Sequence, residues 1–239
     1  MSTIALAPVS LRYFGLTIIA PSILTFALFL ALIFGYSIPA TKGYLVDRKK
    51  EMIRELTQAA WSELKGMYEQ ERDGKLSRNE AQQAAIQRIQ NMRYGNDGKD
   101  YFWISDFQPR MIMHPYRPEL NGQDLSDYTD LAGKRIFVEF AKIARRDGEN
   151  YVEYLWQWKD DETRIVPKLS FVREFAPWGW IVGTGIYLED VRAEIDRMTR
   201  RLIGISAAIS IAMAALLIYL VKQGLYLERK RSATEMALR

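Results

Sequence analysis

The sequence predicts a mixed α+β domain held between two membrane-spanning helices. Residues 13–41 and 202–221 contain no Asp, Glu, Lys or Arg, and about 20 apolar residues in a helix cross the hydrocarbon core of a bilayer. Between these runs lie about 160 mostly polar residues, a usual size for one domain. Within them, hydrophobic residues first recur with helical spacing and then, after Gly98, alternate as they do in β-strands.

Two helices open the middle segment. Apolar residues recur every three or four positions between residues 45 and 67, which predicts one long amphipathic helix over residues 44–72. Ser77 and Glu80 form a capping-box pattern that predicts a second helix over residues 78–92. A turn cluster at residues 94–98 then ends this helix.

Strands dominate the remainder of the segment. We predict five strands and one helix, the strands over residues 101–104, 111–114, 151–158, 165–175 and 180–187, and the helix over residues 134–146. Short polar turns between the strands predict an antiparallel sheet with the helices on one side of it. Residues 115–130 are rich in Pro, Asn, Gly and Asp, which predicts a loop.

The two uncharged runs divide the chain into five segments. We predict a cytoplasmic N-terminus (1–12), a membrane helix (13–38), an extracytoplasmic domain (39–201), a second membrane helix (202–221) and a cytoplasmic linker helix (222–239). The first run is longer than a signal-peptide core, which favours an uncleaved anchor. Charge counts leave the orientation open, because long domains translocate largely regardless of charge.

Composition limits the classes of function that are open to the chain. A charged fraction of 26% and a mean hydropathy of −0.17 require a large water-soluble part. The chain has no cysteine and one histidine, which excludes disulfides, thiol catalysis and zinc sites of the Cys/His type. The net charge of +4 is not gathered into the basic stripe of a nucleic-acid-binding protein. We therefore predict no catalytic residues, no metal, no cofactor and no nucleic-acid partner.

Two basic residues have open interpretations. Residue type alone favours His114 as a strand-end side chain satisfied by a backbone carbonyl. It favours a solvent-facing position for Lys168, although Lys168 lies in an apolar strand. A lysine that faced inward would need an anionic partner, and a small carboxylate would serve.

Aromatic residues are dense in the predicted strands, and alternation places them on common faces. Most are expected in the core, but the polar tips of Tyr and Trp also orient small ligands. The aromatic residues with shared faces are Tyr101 with Trp103, and Tyr154 with Trp156 and Trp158.

Five short motifs follow one another in the middle segment. They are YFWI at 101–104, MHP at 113–115, PELNG at 118–122, KLS at 168–170 and PWGWIVGTGIY at 177–187. This ordered run resembles the second subtype of the single Cache domain, a sensor module of bacterial chemoreceptors and sensor histidine kinases. The resemblance covers about residues 42–200.

The resemblance implies a PAS-like antiparallel sheet behind a long N-terminal helix, in a periplasmic domain that dimerises along that helix. It also implies a short-chain carboxylate ligand such as acetate, propionate, lactate or pyruvate. Carried onto this sequence, the ligand-binding residues would be Tyr101, Trp103, His114 and Lys168, with Tyr154 and Trp156 on the neighbouring strand.

These expectations describe a sensor anchored in the bacterial inner membrane. A small carboxylate would bind outside, and the second membrane helix would pass the signal to a cytoplasmic signalling module. The charged tail resembles the linker that precedes a PAS or kinase module, so we expect the input half of a longer protein or a truncated product. The alternative is a membrane-anchored dimerisation or protein-interaction module without a small-molecule ligand. An enzyme is disfavoured because no nucleophile–base or metal set is visible.

Overall fold

The chain forms two compact units in a computed structural model that describes residues 19–237. The predicted segment 1–12 and the first residues of the first span lie outside the described residues. The helices are α1 (Ala20–Leu32), α2 (Ile38–Arg72), α3 (Arg78–Asn91), α4 (Ile136–Asp147) and α5 (Leu188–Ala237). The strands are β1 (Arg93–Tyr94), β2 (Asp100–Asp106), β3 (Met111–Met113), β4 (Glu149–Trp158), β5 (Asp161–Phe175) and β6 (Trp180–Tyr187).

The apolar unit contains the two candidate membrane spans. By length and composition, the helical stretches Ala20–Arg72 and Leu188–Leu227, which both extend into the other unit, each contain an 18-residue window apolar enough to cross a bilayer. Helix α1 has no buried residue, and Leu24 in α1 and Ile211 in α5 are 62% and 71% exposed. Such side chains suit a hydrocarbon environment better than water. One π-helical segment, Ile33–Ser37, joins α1 to α2 just before Pro39, whose ring would clash with a regular helix.

The water-soluble unit, Tyr44–Glu194, begins within α2, and α3 is its second helix. The predicted capping box is confirmed, since the Glu80 carboxylate accepts the Ser77 backbone N–H at 2.8 Å and the Ser77 hydroxyl accepts the Glu80 N–H at 3.3 Å. The buried stripe of α2 runs through Ile53, Thr57, Ala60 and Leu64, while Met52 and Leu56 are half-buried.

The sheet has the strand order β1-β2-β6-β5-β4, with β3 paired to β2, and every pairing is antiparallel. It contains six strands rather than the five predicted, because Arg93 and Tyr94 pair with β2 inside the expected turn cluster. Strand β6 agrees with its predicted limits, whereas β4 and β5 begin earlier than predicted.

Helices cover both faces of the sheet, so the prediction of helices on one side is wrong. Apolar residues of α2 and α3 pack with Phe102 and Val182 on one face. On the other face, α4 packs its Ile136, Phe137 and Phe140 against the sheet. We call this second surface the α4 face. The candidate site lies there, between the sheet and α4.

Two glycines of β6 allow close packing within the sheet. A Cβ atom at Gly183 would be 2.6 Å from the ring of Trp103, which pairs with it across the strands. At Gly185 a Cβ would be 2.5 Å from the backbone carbonyl of Leu169 on β5. The Gly183-Thr184-Gly185 sequence is therefore a close-packing feature of the sheet.

Candidate functional site

Lys168 lies at the centre of the α4 face and is almost wholly buried, with 1% of its surface exposed. Strand pairing sets it between Tyr154 on β4 and Tyr187 on β6. Its Nζ lies 4.0 Å from the ring centre of Tyr101 and donates a hydrogen bond of 3.4 Å to the Tyr187 hydroxyl. Among residues 19–237, no carboxylate lies within 4.0 Å of this nitrogen. The ammonium group is thus surrounded by aromatic rings and phenols.

Burial strongly affects the charge of this lysine. It lowers the pKa of Lys168 from its usual 10.5 to about 7, and the negative charge of Asp100 offsets this effect only in part. Lys168 therefore faces inward, whereas residue type alone favours a solvent-facing position. A buried cation of this kind is stabilised most by an anion placed directly against it.

His114 follows β3 and points its second ring nitrogen into the site. Its Nδ1 accepts backbone N–H groups of Tyr116 at 3.2 Å and Arg117 at 2.9 Å. A ring whose Nδ1 accepts carries its proton on Nε2 when neutral. Burial, followed by the charges of Lys168 and Arg117, lowers the pKa of His114 well below its usual value. His114 is therefore a neutral donor through Nε2, and the expectation of a side chain satisfied by a backbone carbonyl is wrong.

Three hydrogen-bond donors of the site are buried without a partner. Among the residues that the structure describes, the Tyr101 hydroxyl, the Trp103 Nε1 and the His114 Nε2 accept or donate no hydrogen bond. Tyr187 and Trp156 lie near the Tyr101 hydroxyl, and Tyr154 lies near the Trp103 Nε1, but none of these neighbours meets both the distance and the angle of a hydrogen bond. Unsatisfied buried polar groups are rare, and a cluster of them is typical of ligand sites.

The cavity among these groups is narrow. Its volume is about 10 Å³, which is room for about one water molecule. The lining residues are Trp103, His114, Ile136, Phe137, Phe140, Tyr154 and Trp156. Even a two-carbon acid is larger than one water molecule, so capture has to widen the space between α4 and the sheet.

The loop that crosses the site is tied to the outer edge of the sheet by Asp130. This carboxylate accepts the backbone N–H groups of Ala132 and Lys134 through one oxygen and that of Leu155 through the other, all at 2.8–3.0 Å. Asp124 likewise accepts the backbone N–H of Ser126 at 2.9 Å. These two acidic residues therefore stabilise turns of the loop.

All six residues singled out from the sequence lie on the α4 face, and their ring contacts form one connected set. His114 is 4.9 Å from Tyr101 and 5.6 Å from Trp156, measured between ring centres. Tyr154 contacts Trp156 and donates to or accepts from Ser170 at 2.9 Å. Trp103 stacks on Phe140 of α4 at 4.6 Å.

Trp158 departs from the expected common face. The register of β4 against β5 shifts after Gln157, so Trp158 packs near Tyr187 and beneath Lys159 and Arg164 instead. Sequence reasoning also missed Tyr187, because only the strand register shows that it is the neighbour of Lys168.

A family model for the single Cache domain 2 matches residues 45–201. Methyl-accepting chemotaxis protein McpP of Pseudomonas putida is 41% identical over 178 residues, which cover 74% of this chain and 32% of that protein. The chain spans about a third of the length of the curated relatives that it matches first.

Solved structures resemble the water-soluble unit. The periplasmic sensor domain of a chemotaxis protein is 42% identical, with a TM-score of 0.57, and the match covers 60% of this chain and 96% of that one. A Cache chemosensory domain, whose structure gives the basis for its carboxylic acid recognition, is 38% identical with the same TM-score. That match covers 61% of this chain and 97% of the other.

Proposed function

Because this chain belongs to the single Cache domain 2 family, we propose that it is a membrane-anchored sensor whose ligand is a small carboxylate. The observation that carries the proposal is the setting of Lys168. This cation is 1% exposed, has no carboxylate within 4.0 Å among the described residues, and faces unpaired donors. A ligand carboxylate would accept from Lys168 and from the His114 Nε2, and the Tyr101 hydroxyl and Trp103 Nε1 would orient it.

The walls of the site favour a short monocarboxylate. Lys168 does not line the narrow cavity itself, but burial keeps His114 neutral, so Lys168 is the site residue that would offset the ligand charge. A second carboxylate would be buried against apolar rings without a counterion, which is costly. Ile136, Phe137 and Phe140 would contact the ligand chain. Acetate, propionate, lactate and pyruvate meet the limit of charge, and as small acids they would require the least widening of the cavity.

The membrane layout is part of the proposal. Residues 13–38 and 202–221 would cross the inner membrane, residues 39–201 would form the periplasmic domain, and residues 1–12 and 222–239 would be cytoplasmic. The family and the two apolar helices support this arrangement. The sensor would act as a homodimer formed along α2, and α5 would carry its signal to a cytoplasmic signalling module.

Calorimetric titration of the full chain in lipid nanodiscs tests the ligand class. The panel comprises acetate, propionate, lactate and pyruvate, with succinate and alanine as controls of charge. We expect saturable binding of at least one monocarboxylate and no binding of succinate. If a folded protein bound none of the panel, the small-carboxylate proposal would fail and the protein-interaction alternative would replace it.

His114→Asn should weaken binding of the preferred monocarboxylate about 10- to 100-fold, the usual range for losing a hydrogen bond to a charged group. The Asn Oδ1 can still accept the backbone N–H groups of Tyr116 and Arg117, but the donor that faces the cavity is lost. Titration of wild type and variant at pH 7 measures the change.

His114→Gln is the matched control, because its amide group reaches toward the position of Nε2. We expect it to retain more affinity than His114→Asn although it disturbs the loop more. Equal affinity for wild type and His114→Asn, with both proteins folded, would exclude His114 as a ligand donor.

A further inference from the structure

The turn between β4 and β5 joins the candidate site to the first turn of α5. We call residues 157–164 the hairpin tip. Tyr187 is the last residue of β6, and α5 begins at the next position, Leu188. The Tyr187 hydroxyl accepts a hydrogen bond from Lys168 Nζ at 3.4 Å and from the Lys159 backbone N–H at 2.8 Å. One phenol thus contacts both the buried cation of the site and the hairpin tip.

Lys159 is held in an unusual conformation. It is the one non-glycine residue with a positive φ among residues 19–237, at 55°, and it is 5% exposed. Gln157 donates to its carbonyl at 2.8 Å, while Tyr187 accepts its N–H. A left-handed conformation at a lysine costs free energy, so neighbouring contacts must maintain it.

The Lys159 side chain reaches the start of α5. Its Nζ lies 2.6 Å from Asp97, 3.5 Å from Asp190 and 4.0 Å from Asp100. Asp190 is in the first turn of α5, whereas the other two carboxylates lie in and beside β2. Burial lowers the pKa of Lys159, but these three carboxylates more than offset it, so the ammonium remains charged.

A second ion pair joins the same two elements. Arg164, on the other side of the hairpin tip, pairs with Glu189 of α5. Lys159 and Arg164 also lie over the ring of Trp158, at 4.8 and 4.6 Å from its centre. An isolated ion pair on the surface contributes little to stability. Here two ion pairs rest on one aromatic ring, and together they fix the hairpin tip against the first turn of α5.

We propose that the hairpin tip transmits ligand binding from the site to α5. In this route Tyr187 responds to the ligand in the site, Lys159 connects Tyr187 to the helix, and Asp190 responds in the first turn of α5. This inference rests on the proposed carboxylate site. A ligand carboxylate draws the Lys168 ammonium toward itself and away from the Tyr187 hydroxyl. Loss of that hydrogen bond frees the phenol to move, and its movement changes the support of Lys159. The Lys159 ammonium then redistributes its contacts between Asp97 and Asp190, and this change moves the first turn of α5.

This route meets the energetic requirement for a signal. A ligand changes an equilibrium only through interactions that differ between the two states. The Lys168–Tyr187 hydrogen bond would be such an interaction, because movement of Nζ toward a ligand anion would break it. Lys159 and Asp190 are positioning residues, since Lys159 reaches the site through Tyr187 and Asp190 through Lys159.

Hydrogen exchange of the full chain in lipid nanodiscs, measured by mass spectrometry with and without saturating propionate, tests the route. We expect propionate to change amide exchange at residues 188–194 in the wild type. Asp190→Asn should at least halve this change, while the Kd for propionate stays within about fivefold, the lower end of usual coupling factors. A purely structural role for Asp190 would not separate these two readouts.

Asp160→Asn is the matched control. It makes the same chemical change at the hairpin tip and removes a carboxylate of similar exposure, whose ion pair with Lys99 does not involve α5. We expect a wild-type response from it.

The second ion pair is tested by a charge swap. Arg164→Glu alone should reduce the response, and Arg164→Glu combined with Glu189→Arg should restore it.

The outcomes distinguish this inference from the proposed function. If propionate binds but Asp190→Asn responds like the wild type, or if Asp160→Asn loses the response equally, transmission through the hairpin tip is overturned while the carboxylate site stands. If no monocarboxylate binds the wild type in the titration, the proposed function fails, and this inference fails with it.

Discussion

Lys168→Met is expected to abolish monocarboxylate binding and, at the same time, to stabilise the protein. The two effects have opposite signs because the same buried charge causes both. With its Nζ enclosed by the rings of Tyr101 and Tyr187, Lys168 has one hydrogen-bond partner, Tyr187, among the described residues. A group retained at a cost to stability is typical of a functional site.

The loss of binding follows from the charge arrangement. Lys168 is buried against the ring of Tyr101, and methionine would leave the ligand anion buried beside apolar surfaces. Breaking a buried charge pair by removing one partner costs about 3–5 kcal/mol, or at least a hundredfold in Kd. Calorimetric titration at pH 7 should therefore detect no saturable binding by the variant.

The gain in stability follows from the lowered pKa. Because the pKa of Lys168 falls from 10.5 to about 7, folding disfavours the charged form of this side chain. Each tenfold change in the protonation equilibrium corresponds to about 1.4 kcal/mol. Methionine fills a similar volume, is uncharged and packs well against aromatic rings. We expect the free energy of unfolding at pH 7 to rise by about 1–4 kcal/mol, the range for replacing buried charges by apolar groups.

Denaturant unfolding of both proteins, without ligand, measures the change in stability. Lys65→Met is the matched control, because Lys65 is exposed in α2 and pairs only with Glu69 among the described residues. It should leave both stability and binding nearly unchanged. A Lys168→Met protein that was less stable than the wild type, or that bound propionate normally, would contradict the assignment of Lys168 as a buried cation kept for its ligand.

Local patterns in the sequence predicted most elements of the fold. The Ser77–Glu80 capping box and the β6 limits agree with the structure, because each depends on residues that are close in the chain. The motif run also identified a family that the comparisons confirm. By contrast, β1 was missed since a two-residue strand in a turn cluster has no periodicity to reveal it.

The chemistry of the site depended on contacts that local patterns do not contain. The charge state of His114 follows from two backbone donors and from burial near Lys168, and neither is visible in an MHP motif. The neighbour relation of Lys168 and Tyr187 follows from the strand register. The register shift after Gln157 turned Trp158 away from the expected face. Sequence therefore predicted which residues gather, but not which of them carry charge.

Ligand affinity should fall as the pH rises above 7, by about tenfold for each pH unit at pH 8 and beyond. Binding requires charged Lys168, whose pKa is about 7 without ligand, and an anion beside it raises that pKa again. Below pH 7 the lysine is already charged, and a carboxylic acid of ordinary pKa is ionised above about pH 6. Affinity should therefore be nearly constant between about pH 6 and 6.5.

Calorimetric titration in buffers of different ionisation enthalpy measures the linked proton. At pH 8 a lysine with a pKa of about 7 is mostly neutral, so binding should take up about 0.9 protons for each ligand. The neighbouring groups do not supply this proton, because burial lowers the pKa of His114 and raises those of Tyr101, Tyr154 and Tyr187. Binding without proton uptake at pH 8 would show that Lys168 keeps its charge in the free protein.

The same pKa predicts how stability depends on pH in the absence of ligand. Between about pH 7 and 10.5 Lys168 holds its proton in the unfolded chain but loses it in the folded one. Stability rises with pH wherever the unfolded state binds more protons. We therefore expect the wild type to gain about 1 kcal/mol for each pH unit between about pH 7.5 and 9.5, relative to Lys168→Met, which lacks the group. The difference in slope between the two proteins isolates Lys168 from every other titrating residue, and parallel slopes would place its pKa near the ordinary value. The charged form of Lys168 would then account for both the binding and the stability results. It lowers the free energy of unfolding of the free protein near neutral pH, and it provides the charge that binds the ligand.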